Sequence, residues 1–319
     1  MPRLSIQVRT GISGHIRRRV IALVLSVAVL LGGASLWAPA SASDPLFIGW
    51  SKLLPAWAYE YNPTSKNDCK AGRISCVYAA IKKMERRFEP LAKSCDHDAI
   101  FSLAYLRTTQ EYARSAQEPN FYNDPAFVNH EDVVFAEFYF NAYDSWADGR
   151  QSDVPESWRV AFRAADNRQV SGSGNLYLGM NAHVNRDLPF VLAGIGLVAP
   201  DGSSRKADHD KVNEMLNRVT EPLLAELARR FDPTMDDTAT PYGVSYTAFF
   251  QTLAAWRETA WRNAERLVAA PDKQARQAVA DEIEAYAAET ARALVASYSY
   301  KPPLTTSAQR DAFCASQAQ

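Results

Sequence analysis

The chain has 319 residues, 47% of them hydrophobic, with 35 basic residues against 36 acidic ones, which is enough length and apolar content for one large domain with a substantial core. Five of the basic residues and none of the acidic ones fall within residues 1–42, so the remainder is acidic, and general nucleic-acid binding through phosphates is excluded. Beyond the N-terminal region there is no second long apolar segment, which excludes a stable membrane span there.

Arg3, Arg9, Arg17, Arg18 and Arg19 surround or precede an apolar run over residues 20–31, and Ala40-Ser41-Ala42 follows. This pattern predicts an export signal over residues 1–42, cleaved before Ser43, because the run is short for a membrane span of about 20 residues. Arg17-Arg18 also fits a twin-arginine signal. The mature protein is therefore expected to be secreted or extracytoplasmic. Four cysteines exported in this way are expected to pair. Cys76 and Cys95 would start successive helices of an antiparallel hairpin, too far apart for a disulfide, whose Cα atoms lie within about 7 Å. Cys69 and Cys76 flank a short turn at Gly72, which leaves Cys95 to tie down Cys314.

Residues 43–74 are rich in Trp, Tyr and Pro without a clean period and read as an arm packed over the surface. Helices are predicted over 75–88 and 96–117, each stopping before a proline. Residues 120–125 (NFYNDP) read as a turn-rich loop, and 130–148 as a helix ending at Gly149. A shorter helix over 155–167 carries the stripe Trp158, Ala161, Phe162, Ala165. The segment 175–198, NLYLGMNAHVNRDLPFVLAGIGLV, is apolar on both faces of a helix and so is expected to be central and buried. Asp208 can cap a helix beginning at His209, with Pro222 kinking or restarting it. Residues 231–245 form the longest irregular internal segment, either a binding loop or a plain connection. Helices over 246–269 and 273–300 precede a tail at 301–319. No run of alternating β-branched residues is long enough for a core sheet. The expected fold is all-α, one domain (75–300) of seven to nine helices around the central one.

Four predicted helices carry a polar pair at spacing i, i+4, which puts both members on one face: Glu137 and Asn141, His183 and Asp187, His209 and Asn213, Glu258 and Arg262. An unpaired carboxylate at Asp187 would carry a desolvation cost of several kcal/mol, so it is expected to meet a cation, a metal or an imidazolium. Glu137, in VVFAEFYF, is expected to be buried. Imidazole and carboxylate groups delivered from facing helices are how bundles bind zinc, manganese or iron. One reading therefore makes Glu137, His183, Asp187 and His209 ligands of one or two divalent ions, zinc or manganese, with Glu137, Asp187 or Glu258 moving protons. The other reading is a metal-free polar core in which His183 bonds to Asp187 or Glu137 and Asn141, Asn181, Asn185, Asn213 and Arg262 bridge helices. His97 and His130 read as surface residues at helix ends. There is no GxSxG elbow, P-loop or dinucleotide fingerprint, so no nucleotide cofactor is expected.

The stretches FYNDPAFVNHEDVVFAEFYFNAY (121–143), LGMNAHVNRDLP (178–189), DHDKVN (208–213) and WRETAWRNAERL (256–267) resemble a bacterial family known as a domain of unknown function. That resemblance spans roughly residues 75–270 and implies helical structure with a shared polar site. More distantly, His183-x-x-x-Asp187 with Pro189 just after it resembles the HxxxD helix of the exported, all-helical zinc-dependent phospholipase C and single-strand nuclease superfamily, where the His and Asp bind zinc. Members of that superfamily hold three zincs with about five histidines and an N-terminal tryptophan. Here residues 43–319 have four histidines (His97, His130, His183, His209), and Trp37 lies in the leader, so the resemblance implies one or two metals at most. Two functional expectations follow. The first is a metal-dependent hydrolase of a small phosphoester or other ester substrate. The second is a non-catalytic exported protein with the same residues as polar core and a ligand groove beside them.

Overall fold

The first described helix, α1 (Ile74–Lys93), already departs from the expected boundary by running through Pro90. The proline sits on the solvent face, while Leu91 just beyond it is buried and holds the last turn. The computed structural model describes residues 60–235 and 244–317. The leader, most of the aromatic arm and the middle of the 231–245 segment lie outside the described residues.

α2 (Ala99–Ser115) and α3 (Pro125–Ala147) both pack against α1. α3 starts five residues earlier than its sequence suggests. Asp124 caps it by accepting from the Phe127 amide at 3.0 Å, and Pro125 occupies the first turn. The NDP sequence is thus a helix start, not a loop. α4 (Glu156–Asp166) follows. The central helix, α5, is built of Gly172–Met180, a π-helical segment Asn181–Asp187, and Leu188–Ile195. Ser171 caps it through the Gly174 amide, and Gly179 lets it approach Phe101 so closely that a Cβ would lie 2.3 Å from the ring. The π segment has a local cause. Pro189 has no N–H, and its ring would strike the carbonyl four residues back. The chain widens instead, and the Leu188 amide bonds to the His183 carbonyl five residues earlier.

α6 (Lys206–Arg230) is continuous through Pro222, again on an exposed face next to buried Leu223 and Leu224. Asp208 lies inside α6 and does not cap it; its carboxylate accepts from the backbone amides of Asn123 and Asp124 and so ties α6 to the start of α3. α7 (Val244–Ala269) and α8 (Lys273–Tyr298) flank the central helix. The expected tail instead forms α9 (Ala308–Gln317), docked by buried Arg310, which donates to the carbonyls of Cys95 and Asp96. The fold is a single all-α domain of nine helices among the described residues, with no strand. Disulfides join Cys69 to Cys76 and Cys95 to Cys314, with Cα separations of 5.2 and 5.9 Å. This is the pairing the hairpin geometry predicts.

Candidate functional site

On the π segment, His183 and Asp187 are 3% and 1% exposed and bonded to each other, Nδ1 to Oδ2 at 3.1 Å. The same Oδ2 accepts from Trp158 Nε1 at 2.8 Å, and Oδ1 accepts from Arg186 at 2.9 Å. Arg186 in turn pairs with Glu284 of α8. Asp187 is therefore held by three donors, two on Oδ2 and one on Oδ1, which makes it the group that orients His183. With the Nδ1 proton committed to Asp187, His183 Nε2 carries a lone pair, and it has no partner among the described residues. Phe135 stacks on the imidazole with centroids 3.5 Å apart, and Tyr105 approaches it edge-on at 4.5 Å. Burial holds the imidazole below its ordinary range, although Asp187 pulls the other way. It is a neutral acceptor.

Nε2 belongs to the wall of a pocket of about 120 Å³. α2 contributes Phe101, Tyr105 and Thr108 to this wall, α3 Val128 and Phe135, and α5 Met180 and Leu188. The other side is Met215, Leu216 and Val219 of α6 with Phe249 and Leu253 of α7. Against this apolar lining stand a few ionisable groups: Glu131 and Asp132 of α3 and Arg257 of α7. Two more polar atoms of the wall, Tyr105 Oη and Asp132 Oδ2, are buried and without a partner among the described residues. Asp132 is half-buried, and desolvation, with Glu131 beside it, pushes its carboxyl well above the usual range. Burial likewise pushes Glu131 up to about 7, with Arg257 opposing.

The other expected site residues do not join this pair. Glu137 is a correction. Its side chain is 27% exposed, and both oxygens bond to Lys83 of α1 at 3.2 Å, because the face of α3 it occupies is the edge that meets α1. Asn141, one turn on, is half-buried, and its Nδ2 has no partner among the described residues. His209 is buried, but Arg257 donates to its Nδ1 and its Nε2 meets the Arg257 carbonyl at 3.2 Å, so no lone pair is left for a metal. Asn213 accepts from Arg257 Nε. Glu258 and Arg262 form a surface ion pair that extends to Lys206. Among the described residues no group of three or more His, Cys, Asp or Glu side chains is placed to hold a metal ion. Asn181 and Asn185 are core groups. Asn185 donates to Asn181, whose own amide donates to the Ala287 carbonyl of α8. His97 and His130, expected at the surface, are 2% and 0% exposed. His97 lies between Asp311 and Asn175, and His130 Nδ1 meets the Cys69 carbonyl.

Sequence reasoning did not single out Trp158 as a donor, nor Tyr105, Glu131, Asp132 and Arg257 as pocket groups. Their distinguishing property is a shared cavity, which no single-helix period reveals.

The pocket carboxylates make a stability prediction. Glu131 has a folded value of about 7 against an ordinary 4.5, so its contribution is fully present below pH about 4.5 and is lost as pH rises through about 7. The loss amounts to roughly 3 kcal/mol by pH 8. His97, His183 and His209, all held low by burial, act in the opposite sense, and their contribution falls away as pH drops below about 6.5. Comparing the parent with Glu131→Gln cancels the histidines. The variant is expected to gain on the parent as pH rises from 4 to 8, by roughly 3 kcal/mol, as read by urea unfolding. A difference independent of pH would show that Glu131 ionises normally.

No curated protein and no solved structure matches the chain, and nothing supports the resemblance to zinc-dependent phospholipase C and single-strand nucleases. Residues 77–297 match a family of unknown function, DUF5995. That span holds α2 to α7 entire, every pocket residue and the His183–Asp187 pair, and this chain belongs to that family.

Proposed function

We propose that this protein binds a small, mainly apolar molecule in the α2–α3–α5–α6–α7 pocket, in an oxidising compartment outside the cytoplasm. The observation that carries this reading is the bare Nε2 of His183, 3% exposed and facing apolar walls. A buried acceptor without a partner costs about 1–3 kcal/mol, and such groups are kept where a ligand completes them. Two disulfides support the compartment. Titration of the purified protein with a fluorescent naphthalene probe is expected to reach one equivalent, and Val219→Phe, which fills the pocket, to weaken binding at least about tenfold. Equal binding by that variant would move the ligand site elsewhere.

A second reading, hydrolysis of an ester, is favoured by one feature. Asp187 behind Nδ1 leaves Nε2 as a base or as a metal ligand, the arrangement carboxylate–histidine pairs take in both roles. Asp132 is the carboxylate on the same wall that would join it. On this reading, hydrolysis of a p-nitrophenyl ester, with or without added zinc or manganese, is abolished in His183→Gln. Turnover that survives the substitution would discard it.

A further inference from the structure

Resting on the pocket reading above, we infer that the ligand is a monocationic organic amine, an alkyl- or arylalkylammonium, whose N–H groups meet Asp132, His183 Nε2 and Tyr105 Oη while its apolar body lies along α6 and α7.

Three observations point to this class. The first is polarity. Each of the buried, unpartnered atoms on the pocket wall is an acceptor or can act as one: Asp132 Oδ2 is a carboxylate oxygen, His183 Nε2 has only a lone pair because its other nitrogen is bonded to Asp187, and Tyr105 Oη can take either role. A primary ammonium offers three donors and no acceptor. His183 and Tyr105 are 3% and 7% exposed, so these are enclosed groups aimed at the pocket and not a solvated acidic cluster. The second is charge. Glu131 and Asp132 face Arg257 alone within the lining, and Arg257 already spends Nε on Asn213 and Nη2 on the His209 carbonyl. One acidic side chain therefore lacks a basic partner in the lining and is held protonated by burial, and a bound cation would favour its carboxylate form. The third is the shape of the head region. Asp132 and Phe135 are three residues apart on α3, on one face of the helix, both line the pocket, and Phe135 is the ring that stacks on His183. Phe135, Tyr105 and Phe101 present aromatic surface there, which attracts a cation desolvated against it.

The same groups select against other heads. A fatty-acid anion would bring only acceptor oxygens to a head region that lacks donors, beside two acidic side chains. A neutral alcohol has one O–H to give and would leave the other two atoms without a donor.

The inference is tested by calorimetric titration of the purified protein at pH 7.5 with hexylammonium chloride, 1-hexanol and sodium hexanoate. Hexylammonium is expected to bind about 30-fold tighter than hexanol, the discrimination typical of a charge-assisted hydrogen-bonded head. In Asp132→Asn that ratio is expected to collapse to within about threefold. Tyr105→Phe, which removes only a hydroxyl that has no partner among the described residues and so leaves the fold intact, is expected to lower the ratio by about three- to tenfold. Equal affinity for ammonium and alcohol, tighter binding of hexanoate, or a ratio untouched by both substitutions overturns the amine and leaves the pocket reading in place. The same holds if the naphthalene probe binds and none of the three hexyl compounds does. If the probe and all three fail to bind, the pocket reading falls and the amine with it.

Discussion

Trp158→Ala is expected to destabilise the protein by about 5 kcal/mol, through two separable losses. Trp158 is 0% exposed, stacked on Phe162 with centroids 5.2 Å apart and in edge contact with Phe101. Truncating such a ring typically removes about 3–5 kcal/mol by lost transfer energy and the cavity left behind. Its Nε1 also donates to Asp187 Oδ2, and a hydrogen bond to a buried charged group contributes about 1.5–3 kcal/mol. The two losses overlap, since a collapsing cavity admits other donors. Trp158→Phe separates them because it keeps most of the packing and deletes the donor, so its loss is expected to fall in the lower range. Urea unfolding measures both, and nitrogen-15 shifts of His183 in Trp158→Phe report whether the imidazole keeps its Nδ1–H tautomer. A loss of less than about 1.5 kcal/mol for the alanine variant would mean that α4 does not anchor the central helix. The effect on function should follow stability only in part: with Asp187 less constrained, His183 Nε2 is less firmly aimed at the pocket, and probe affinity should fall even where the fold persists.

How much of this site was legible beforehand varies with the range of the contact. The pair His183–Asp187 lies four residues apart in one helix, and its burial follows from apolar residues on both faces, so local pattern was sufficient. The stripe containing Trp158 was legible as core, but not the direction of its N–H, which depends on how α4 packs against α5. Glu137 misled for the opposite reason: the apolar residues around it in sequence lie on other faces of α3, and its partner, Lys83, comes from α1. His97 sits in Cys-Asp-His-Asp, which reads as solvated. It is covered because α9 folds back and brings Asp311 to its Nε2. The pocket was the least legible feature, since five helices each contribute one or two turns to it and Asp132 looks like any acidic residue in an amphipathic helix. The interruptions at Pro90 and Pro222 were overestimated because burial of the leucines that follow outweighs one lost backbone bond on a hydrated face.

The two disulfides are expected to contribute very unequally. Cys69–Cys76 closes a sequence separation of 7 and Cys95–Cys314 one of 219. In the chain-entropy treatment the constraint on the unfolded ensemble grows with the logarithm of loop length, which gives about 2.5 kcal/mol for the short loop and about 5 kcal/mol for the long one. Native contacts add to the second figure. Cys314 is 1% exposed on α9, whose Arg310 donates to the Cys95 and Asp96 carbonyls and whose Asp311 meets His97. Those bonds, not the sulfur bridge alone, hold α9 over the turn between α1 and α2. Paired serine substitutions at Cys95 and Cys314 are therefore expected to lower the unfolding free energy by about 3 kcal/mol more than paired substitutions at Cys69 and Cys76. They should also shift the amide resonances around His97 and Asn175. If both pairs prove equally costly, the entropy of the long loop is not what the second disulfide supplies, and the contacts of Arg310 and Asp311 keep α9 docked without it. In that case Arg310→Ala, which deletes a 3% exposed guanidinium and leaves two carbonyls unpaired, becomes the substitution that releases the C-terminal helix.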